Sequence, residues 1–310
     1  MANLNRVKPP AAAETTERKR KNGAPIPKPH KPKLGQNFLT DRSAAQKIVD
    51  ALGDISYSTV IEIGPGRGAI TDLLQKQARR LIAIELDRVL AAQLRLKFST
   101  ARNIEIIEAD VLAVDFNTIL GPRPGSTFTG LASPVIEHAK IVGNIPYYIT
   151  SDILLHLFQF HRYFTELVIM VQAEVADRVA AKAGTSDYGL LTATTQLYTR
   201  AEKLFTLPPE AFSPSPKVHS TVLRLVADPQ ADRLRIDPEA FIDFLKLSFG
   251  QKRKTLVNNL KERYDEKAIR SALSAAKVRA DVRAEALSLD KAAAIFRTLS
   301  SPQKTVAHKT

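Results

Sequence analysis

Short apolar runs alternate with amphipathic stretches along the central part of the chain, beginning near residue 58. The apolar runs have the length and the β-branched composition of buried strands, and they predict strands at 59–63, 81–85, 104–107, 141–144, 167–171, 203–207 and 221–226. The stretches between them have helical spacing and predict helices at 69–78, 88–97, 151–160 and 173–183. Strands that alternate with helices indicate a mainly parallel, seven-stranded, doubly wound α/β sheet. A proline-rich link is all that separates the last two strands, which favours an antiparallel hairpin at one edge.

The two ends of the chain have a different pattern. After about residue 228 the strand pattern stops, so we predict an α/β domain over 34–228 and a small all-α C-terminal domain over 229–310. Residues 1–33 contain six of the 18 prolines and almost no aliphatic side chains, which predicts a disordered tail. The Gly-, Pro- and Ser-rich stretch 121–139 is predicted to be a surface insertion before the fourth strand.

Charge and composition narrow the range of functions. The 310 residues include 45 Lys and Arg against 32 Asp and Glu, a net charge of +13 that favours a polyanionic partner, nucleic acid before an anionic membrane. Nine basic and two acidic residues lie in 1–33, so this tail is either solubilising or an RNA-contacting arm. Cysteine is absent, which excludes disulfides, thiolate metal sites and cysteine nucleophiles. No apolar run reaches about 18 residues, which argues against a transmembrane helix and a membrane partner. The N-terminal MANLNRVKPP lacks the apolar region of a secretory signal, and the absence of cysteine fits a reducing compartment, so we expect a cytoplasmic protein.

A glycine-rich turn, EIGPGRG (62–68), follows the first strand predicted in the central part. Glycine is needed where the backbone must approach a ligand closely or adopt dihedral angles that other residues avoid, so Gly64 and Gly66 are candidate cofactor-binding residues. Alone, the turn also fits a purely structural connection between a strand and a helix. Its G-x-G-x-G spacing differs from the G-x-G-x-x-G fingerprint, which argues against a dinucleotide.

Acidic residues end the next two predicted strands. Glu85 comes 21 positions after Gly64, where a carboxylate in such folds accepts hydrogen bonds from ribose hydroxyls, and Asp110 ends the third strand. Each acid alone also fits a solvated charge at a strand end. Together the three features lie at the carboxyl ends of successive strands, the edge at which open α/β sheets bind ligands. The pattern predicts a nucleoside-bearing cofactor, and the lack of a P-loop lysine argues against ATP.

The sequence NIPYY (144–148) directly follows the fourth predicted strand. The exocyclic nitrogen of adenine is a poor nucleophile because its lone pair is delocalised into the ring, so an enzyme that alkylates it needs acceptors for the two N–H bonds. The side-chain carbonyl of Asn144 and the backbone carbonyl of Pro146 are candidate acceptors, and Tyr147 is a candidate to stack on the extruded base. A strand-to-loop turn with two core tyrosines is the alternative interpretation.

The loop FSPSPKV (212–218) precedes the last predicted strand and is stiffened by two prolines. We interpret it as presenting Phe212 to the other face of the base and Lys217 to phosphate, although a rigid linker fits the same residues.

A second basic segment, QKRKT (251–255), lies in the predicted helical domain. Its Lys252, Arg253 and Lys254 are candidate phosphate contacts at a helix start, and a solvated charged face is the alternative. The six histidines are scattered without the spacing of metal ligands, so we expect no metal site.

These motifs together resemble the ribosomal RNA adenine dimethyltransferase family, most closely its bacterial small-subunit (RsmA/KsgA) members. The resemblance extends from about residue 33 to about residue 299. It is carried by KLGQNFLTD (33–41), EIGPGRGAIT (62–71), IELD (84–87), EAD (108–110), GNIPYYIT (143–150), FSPSPKV (212–218), FGQKRKTLVNNL (249–260) and VRAEALS (282–288).

The resemblance implies a Rossmann-like, class I fold dependent on S-adenosyl-L-methionine. It implies that Asn37 and Leu39 line the cofactor pocket from the N-terminal side, while Asn144 bridges cofactor and target base. It further implies that Gly64 approaches the methionine part, that Glu85 binds the ribose and that Asp110 lies beside the adenine. The implied reaction is the transfer of four methyl groups, two to each of two adjacent adenines near the 3′ end of the small-subunit (16S) RNA, in ribosome biogenesis. We expect a monomer that acts on the immature 30S subunit.

Two departures from the family pattern concern RNA contacts rather than the proposed chemistry. His219 stands where many relatives have Asp, and the 121–139 insertion is longer than usual. Three other functions stay open at this stage: a large-subunit (23S) RNA adenine methyltransferase of the antibiotic-resistance type, a DNA adenine methyltransferase, and a ribosome-assembly factor that chiefly binds subunits. The FGQKRKTLVNNL segment and the FSPSPKV loop favour the small-subunit enzyme over the first of these.

Overall fold

The computed structural model describes residues 36–121 and 137–300 of the chain. The predicted tail at 1–33, most of the predicted insertion at 121–139 and the last ten residues lie outside the described residues.

Nine strands form two sheets within the residues that the structure describes. The strands are β1 (Phe38–Leu39), β2 (Thr59–Ile63), β3 (Arg80–Glu85), β4 (Ile104–Glu108), β5 (Ala139–Asn144), β6 (Phe164–Gln172), β7 (Thr199–Leu207), β8 (Phe212–Ser213) and β9 (Ser220–Ala227). Seven of them make one sheet in the order β4-β3-β2-β5-β6-β9-β7, and β1 pairs with β8 in a separate antiparallel ribbon.

The large sheet is parallel except at β9. The strands from β4 to β6 are parallel to their neighbours, whereas β9 is antiparallel to both β6 and β7. This confirms the predicted mainly parallel, seven-stranded sheet and its antiparallel hairpin of β7 and β9 at one edge. Because β9 runs antiparallel to β6 and β7, its first residue, Ser220, lies beside the carboxyl ends of these two strands, at Gln172 and Leu207.

Twelve α-helices surround or follow the sheet. They are α1 (Arg42–Asp50), α2 (Thr71–Gln77), α3 (Arg88–Lys97), α4 (Phe116–Leu120), α5 (Thr150–Gln159), α6 (Ala173–Val179), α7 (Leu190–Tyr198), α8 (Ala231–Leu234), α9 (Pro238–Ser248), α10 (Leu256–Leu260), α11 (Glu266–Ala275) and α12 (Leu289–Ser300), within the part of the chain that the structure describes. Residues 228–300 contain helices and no strand, as the pattern predicts, while the exact domain boundary stays a prediction.

Helices α1, α4 and α7 have no counterpart among the predicted helices. Helix α1 is capped by Asp41, whose side chain accepts a hydrogen bond from the backbone N–H of Ala44 at 3.0 Å, a recognisable N-terminal signal. Helix α7 contains three buried threonines, and β-branched residues obscure a helical pattern. The helix predicted at 173–183 ends at Val179.

The sheet separates two apolar clusters, as the alternation of side chains along each strand requires. Along β2, Val60 belongs to one cluster and Ile61 to the other. The cluster that includes Val60 packs α1 and α2 against one face of the sheet. The cluster that includes Ile61 packs α5, α6 and α7 against the other face and continues into the C-terminal helices, where the rings of Phe241, Phe244 and Phe296 contact one another.

Within 36–121 and 137–300, none of the helices combines the length and the apolar character that crossing a membrane would need.

Candidate active site

The glycine-rich turn lies where β2 ends, beside the end of β5. Gly64 and Gly66 have φ angles of +68° and +57°, in the left-handed region that favours glycine. A Cβ on Gly64 would lie 3.5 Å from the carbonyl oxygen of Asn144, which brings the turn and the end of β5 into contact. Gly143, which precedes Asn144, packs closer still, since a Cβ there would lie 2.5 Å from the carbonyl oxygen of Ile63.

Glu85 ties the end of β3 to this turn. Its side chain is 2% exposed, Oε2 accepts the backbone N–H of Gly66 at 2.9 Å, and Oε1 accepts that of Asp87 at 2.9 Å. Burial raises the pKa of Glu85, while the hydrogen bonds from the backbone act in the opposite direction. Each oxygen keeps a second lone pair, so the carboxylate can still accept hydrogen bonds from a ligand.

Glu62, one residue before the end of β2, is a buried acid. It is 1% exposed and accepts a hydrogen bond from the Thr71 hydroxyl at 2.6 Å, which fixes the start of α2 against the strand. Burial raises the pKa of Glu62 to about 8, so its carboxyl group is mainly protonated at neutral pH. Through Thr71, this side chain links the end of β2 to the first residue of α2.

Asp110 lies in the short connection after β4. It is exposed, and its Oδ1 accepts the backbone N–H of Leu112 at 3.0 Å. The parallel register of β2, β3 and β4 places Gly64, Glu85 and Asp110 at the same edge of the sheet, as the sequence predicts.

The N-terminal segment, residues 36–40, forms a wall beside this edge. The backbone carbonyl of Asn37 accepts a hydrogen bond from Nδ2 of Asn144 at 2.8 Å. The Phe38 ring lies against Gly66, 2.9 Å from where a Cβ would stand, and the Arg67 guanidinium lies 4.5 Å from the ring centroid in a cation–π contact. Leu39 is buried in the adjoining apolar cluster.

The amide orientation of Asn144 decides what this side chain can accept. Because Nδ2 donates to Asn37, the oxygen Oδ1 is the side-chain acceptor for a ligand. The Pro146 carbonyl is more heavily engaged, since it accepts the backbone N–H of Ile149 at 3.2 Å and the hydroxyl of Thr150 at 3.1 Å. A substrate N–H would therefore have to share or displace the Thr150 hydroxyl at Pro146, so the two predicted acceptors are not equivalent.

The two predicted stacking aromatics differ in exposure. Tyr147 is half-buried, and its hydroxyl lies 2.6 Å from Oγ of Ser220. Burial raises the pKa of Tyr147, so the phenol is neutral at physiological pH. Phe212 is 4% exposed and lies in the apolar cluster of Leu39, opposite which it pairs in the β1–β8 ribbon. Phe212 lies beside the N-terminal segment 36–40, which agrees with a place near the site. Its ring is covered by neighbouring residues, and its stacking on the base stays a prediction.

The predicted RNA contacts lie on two separate surface segments. Lys217 is exposed in the loop between β8 and β9. The triplet 252–254 is exposed in the turn before α10, whose N-cap is Thr255. Within this turn the Nζ of Lys252 donates to the carbonyl oxygen of Ser186 at 2.9 Å. The turn and the 186–192 segment line a cleft of about 380 Å³, so Lys252 also joins the two segments structurally.

Sequence reasoning missed Phe38, Thr150 and Ser220 as parts of this site. Ser220 directly precedes the strand predicted at 221–226 and carries no signal of its own. Phe38 and Thr150 lie within the motifs KLGQNFLTD (33–41) and GNIPYYIT (143–150), in which the candidate residues were their neighbours. The fold and the site define a Rossmann-like, class I methyltransferase. The defining features are the antiparallel strand β9, the glycine-rich turn after β2, and the acids Glu85 and Asp110 at the ends of successive strands.

The chain belongs to the ribosomal RNA adenine dimethylase family, whose model matches residues 28–301. It is 60% identical over 269 residues to ribosomal RNA small subunit methyltransferase A of Koribacter versatilis (strain Ellin345), a match that covers 87% of this chain and 94% of that protein. Over 271 residues it is 53% identical to the protein of the same name from Acidobacterium capsulatum, covering 87% and 91% of the two chains.

Two solved structures share the architecture. The 23S rRNA methyltransferase ErmE matches with 26% identity and a TM-score of 0.60, covering 85% of this chain and 99% of that one. A dimethyladenosine transferase from Plasmodium falciparum matches with 22% identity and a TM-score of 0.66, covering 83% and 95%, and supports the fold alone. Family membership makes the chain a methyltransferase with S-adenosylmethionine as methyl donor and ribosomal RNA as its class of substrate.

Proposed function

We propose that this protein dimethylates N6 of two adjacent adenines near the 3′ end of small-subunit (16S) ribosomal RNA during subunit biogenesis. The observation that carries the proposal is the orientation of Asn144 at the end of β5. Its amide nitrogen is held by the Asn37 carbonyl, and its oxygen remains as an acceptor beside the glycine-rich turn. The curated relatives with 60% and 53% identity are named as small-subunit methyltransferases, which supports this choice of RNA.

The residues at the sheet edge fit the proposed cofactor. Two glycines at positive φ let the turn approach a ligand closely, and the Glu85 carboxylate keeps acceptor capacity for ribose hydroxyls. Asp110, Asn37 and Leu39 flank the same edge. S-adenosylmethionine bound there would supply an electrophilic methyl group attached to a positively charged sulfur.

The chain's own contribution to the reaction is to orient and expose the adenine amine. Asn144 Oδ1 accepts one N–H, which turns the nitrogen lone pair away from the ring system and toward the methyl group. The Pro146 carbonyl accepts the other N–H when the Thr150 hydroxyl makes room. Tyr147 stacks on the extruded base and holds it in place. As the new N–C bond forms, the bond from the methyl carbon to sulfur would break and a neutral thioether would leave. The proton that the nitrogen loses passes to water, and no side chain is assigned as a general base.

Substrate binding is proposed to rest on the basic segments outside the cofactor site. Arg253 and Lys254 are exposed in the helical C-terminal part, and Lys217 is exposed in the loop that leads to β9. Phosphate neutralisation by such side chains gives salt-dependent affinity for RNA. We propose that the protein acts as a monomer on the immature 30S subunit in the cytoplasm, where subunits mature, without a membrane partner.

The experiment that tests this function compares the two ribosomal RNAs directly. The full chain is incubated with radiolabelled S-adenosylmethionine and either small or large subunits that lack adenine methylation, and primer extension maps the modified nucleotides. We expect label at two adjacent adenines of the small-subunit RNA, and the Asn144→Ala variant serves as the control with strongly reduced turnover. Label confined to large-subunit RNA would assign the protein to the other substrate, and binding of subunits without any transfer would leave only an assembly role.

A further inference from the structure

Ser220 is a buried residue that contacts the proposed site through a single side chain. It is 0% exposed, and its Oγ lies 2.6 Å from the hydroxyl oxygen of Tyr147. As the first residue of β9 it pairs with Gln172 of β6 on one side and with Leu207 of β7 on the other. The backbone of Ser220 is therefore fixed by two neighbouring strands, and its hydroxyl is a rigid anchor.

Tyr147 itself lies in a short turn after β5 rather than within the sheet. It begins a three-residue 3-10 turn, Tyr147–Ile149, that has no side-chain hydrogen bond at its N-cap. The ring is half-buried, and its neighbour Tyr148 is exposed. A tyrosine ring turns about two side-chain bonds, so a hydrogen bond at its tip removes freedom that the turn leaves. The hydrogen bond to Ser220 therefore favours one orientation of this ring.

We propose that Ser220 is a positioning residue for methyl transfer, because its hydroxyl holds the Tyr147 ring in the orientation that receives the target base. This inference rests on the proposed function, in which Tyr147 stacks on the extruded adenine. The predicted consequence concerns turnover more than binding. If the Tyr147 ring turns freely, the adenine stacked on it holds its amine at attack distance less often, so turnover falls. Affinity for RNA comes from the basic segments elsewhere and should change little.

A purely structural role for Ser220 makes a different prediction, and a double-mutant cycle separates the two. The variants are Ser220→Ala, Tyr147→Phe and the combination, each of which removes one or both hydroxyls while keeping the aromatic ring. Thr221→Val is the matched control, because this neighbouring residue on β9 loses a comparable hydroxyl contact, 3.0 Å to Oγ1 of Thr206, away from Tyr147. Circular dichroism melting and calorimetric titration with S-adenosylmethionine check that every variant is folded and binds cofactor.

We expect Ser220→Ala and Tyr147→Phe each to lower kcat by about 5-fold, the effect of one lost hydrogen bond. The KM for under-methylated small subunits and the cofactor affinity should stay within about 2-fold of wild type, and the combined variant should be no slower than either single variant. Thr221→Val should keep wild-type turnover.

Two results would overturn the positioning role while wild-type activity persists. One is an unchanged kcat in Ser220→Ala. The other is an equal loss from Ser220→Ala in the wild-type and Tyr147→Phe backgrounds, which would show that Ser220 acts through something other than the tyrosine hydroxyl. A wild-type protein that transfers no methyl group to adenine would instead refute the proposed function, and this inference with it.

Discussion

Gly143→Ala tests whether the close contact between β2 and β5 positions Asn144 at the end of β5. A Cβ at this position would lie 2.5 Å from the carbonyl oxygen of Ile63 and 3.2 Å from its Cβ. Real Cβ contacts are essentially never shorter than 3.0 Å, and ordinary contacts begin near 3.4 Å, so the two strands must separate by roughly 0.5–0.9 Å. Such overpacking of a core costs about 1–3 kcal/mol. The next residue is Asn144, so the same shift moves its amide away from the glycine-rich turn.

The displacement of Asn144 should be visible in turnover. A misplacement near 1 Å typically costs about 10²-fold in rate, so we expect kcat of Gly143→Ala to fall by roughly that factor. Denaturant unfolding measures the stability loss, and methylation of under-methylated small subunits measures turnover. Gly189→Ala is the control, because its backbone is extended and nothing lies within 4 Å of the added Cβ. Wild-type stability and turnover in Gly143→Ala would refute the view that this strand contact sets the position of Asn144.

Three further substitutions test other parts of the account. Asn144→Ala should keep its fold and RNA affinity but lose about 10²–10³-fold in turnover, as expected for a positioned group that acts mainly in the transition state. Asn144→Asp still has an oxygen that accepts a hydrogen bond, so it should lose less turnover. Equal losses of kcat in the two variants, measured by steady-state kinetics, would contradict this role. Replacing residues 253 and 254 with alanine should weaken subunit binding and flatten its salt dependence relative to a Lys47→Ala/Lys76→Ala charge control, while calorimetry shows unchanged cofactor affinity. Glu62→Gln keeps an acceptor for the Thr71 hydroxyl and removes the carboxyl group with the raised pKa. As pH rises from about 4.5 to about 8, the wild type should lose up to about 1.4 kcal/mol of unfolding free energy per pH unit, because its unfolded state releases the Glu62 proton first, and the variant should not. A constant difference in unfolding free energy between the two proteins across that window would refute the assignment.

The sequence was most informative where local pattern determines structure. Helix α3 and strand β2 have the predicted bounds, and the ends of β3, β4, β5 and β6 lie within three residues of the predicted ones. Apolar periodicity and capping residues act over such short distances. The order of the strand ends also placed Gly64, Glu85 and Asp110 on one edge, since carboxyl ends of parallel strands share an edge.

The pattern of apolar and polar residues did not predict the contacts between segments that are distant in sequence. The β1–β8 ribbon has two residues in each strand, too few for an alternation to show, and its pairing buries Phe212 against the N-terminal segment. The hydrogen bonds that already occupy the Pro146 carbonyl depend on the 3-10 turn, and the bond from Lys252 to Ser186 depends on how the C-terminal helices meet the 186–192 segment. Such geometry is set by tertiary packing, which single-sequence periodicity does not encode.

The number of methyl groups on the product tests the central claim most directly. A monomethylated amine keeps one N–H, which needs only one acceptor, and Asn144 Oδ1 remains available while Pro146 is engaged by Ile149 and Thr150. Mass spectrometry of small-subunit RNA, after reaction with S-adenosylmethionine in excess, should show N6,N6-dimethyladenine at two adjacent positions near the 3′ end. An end product of monomethyladenine under the same conditions would contradict both the proposed reaction and this account of the site.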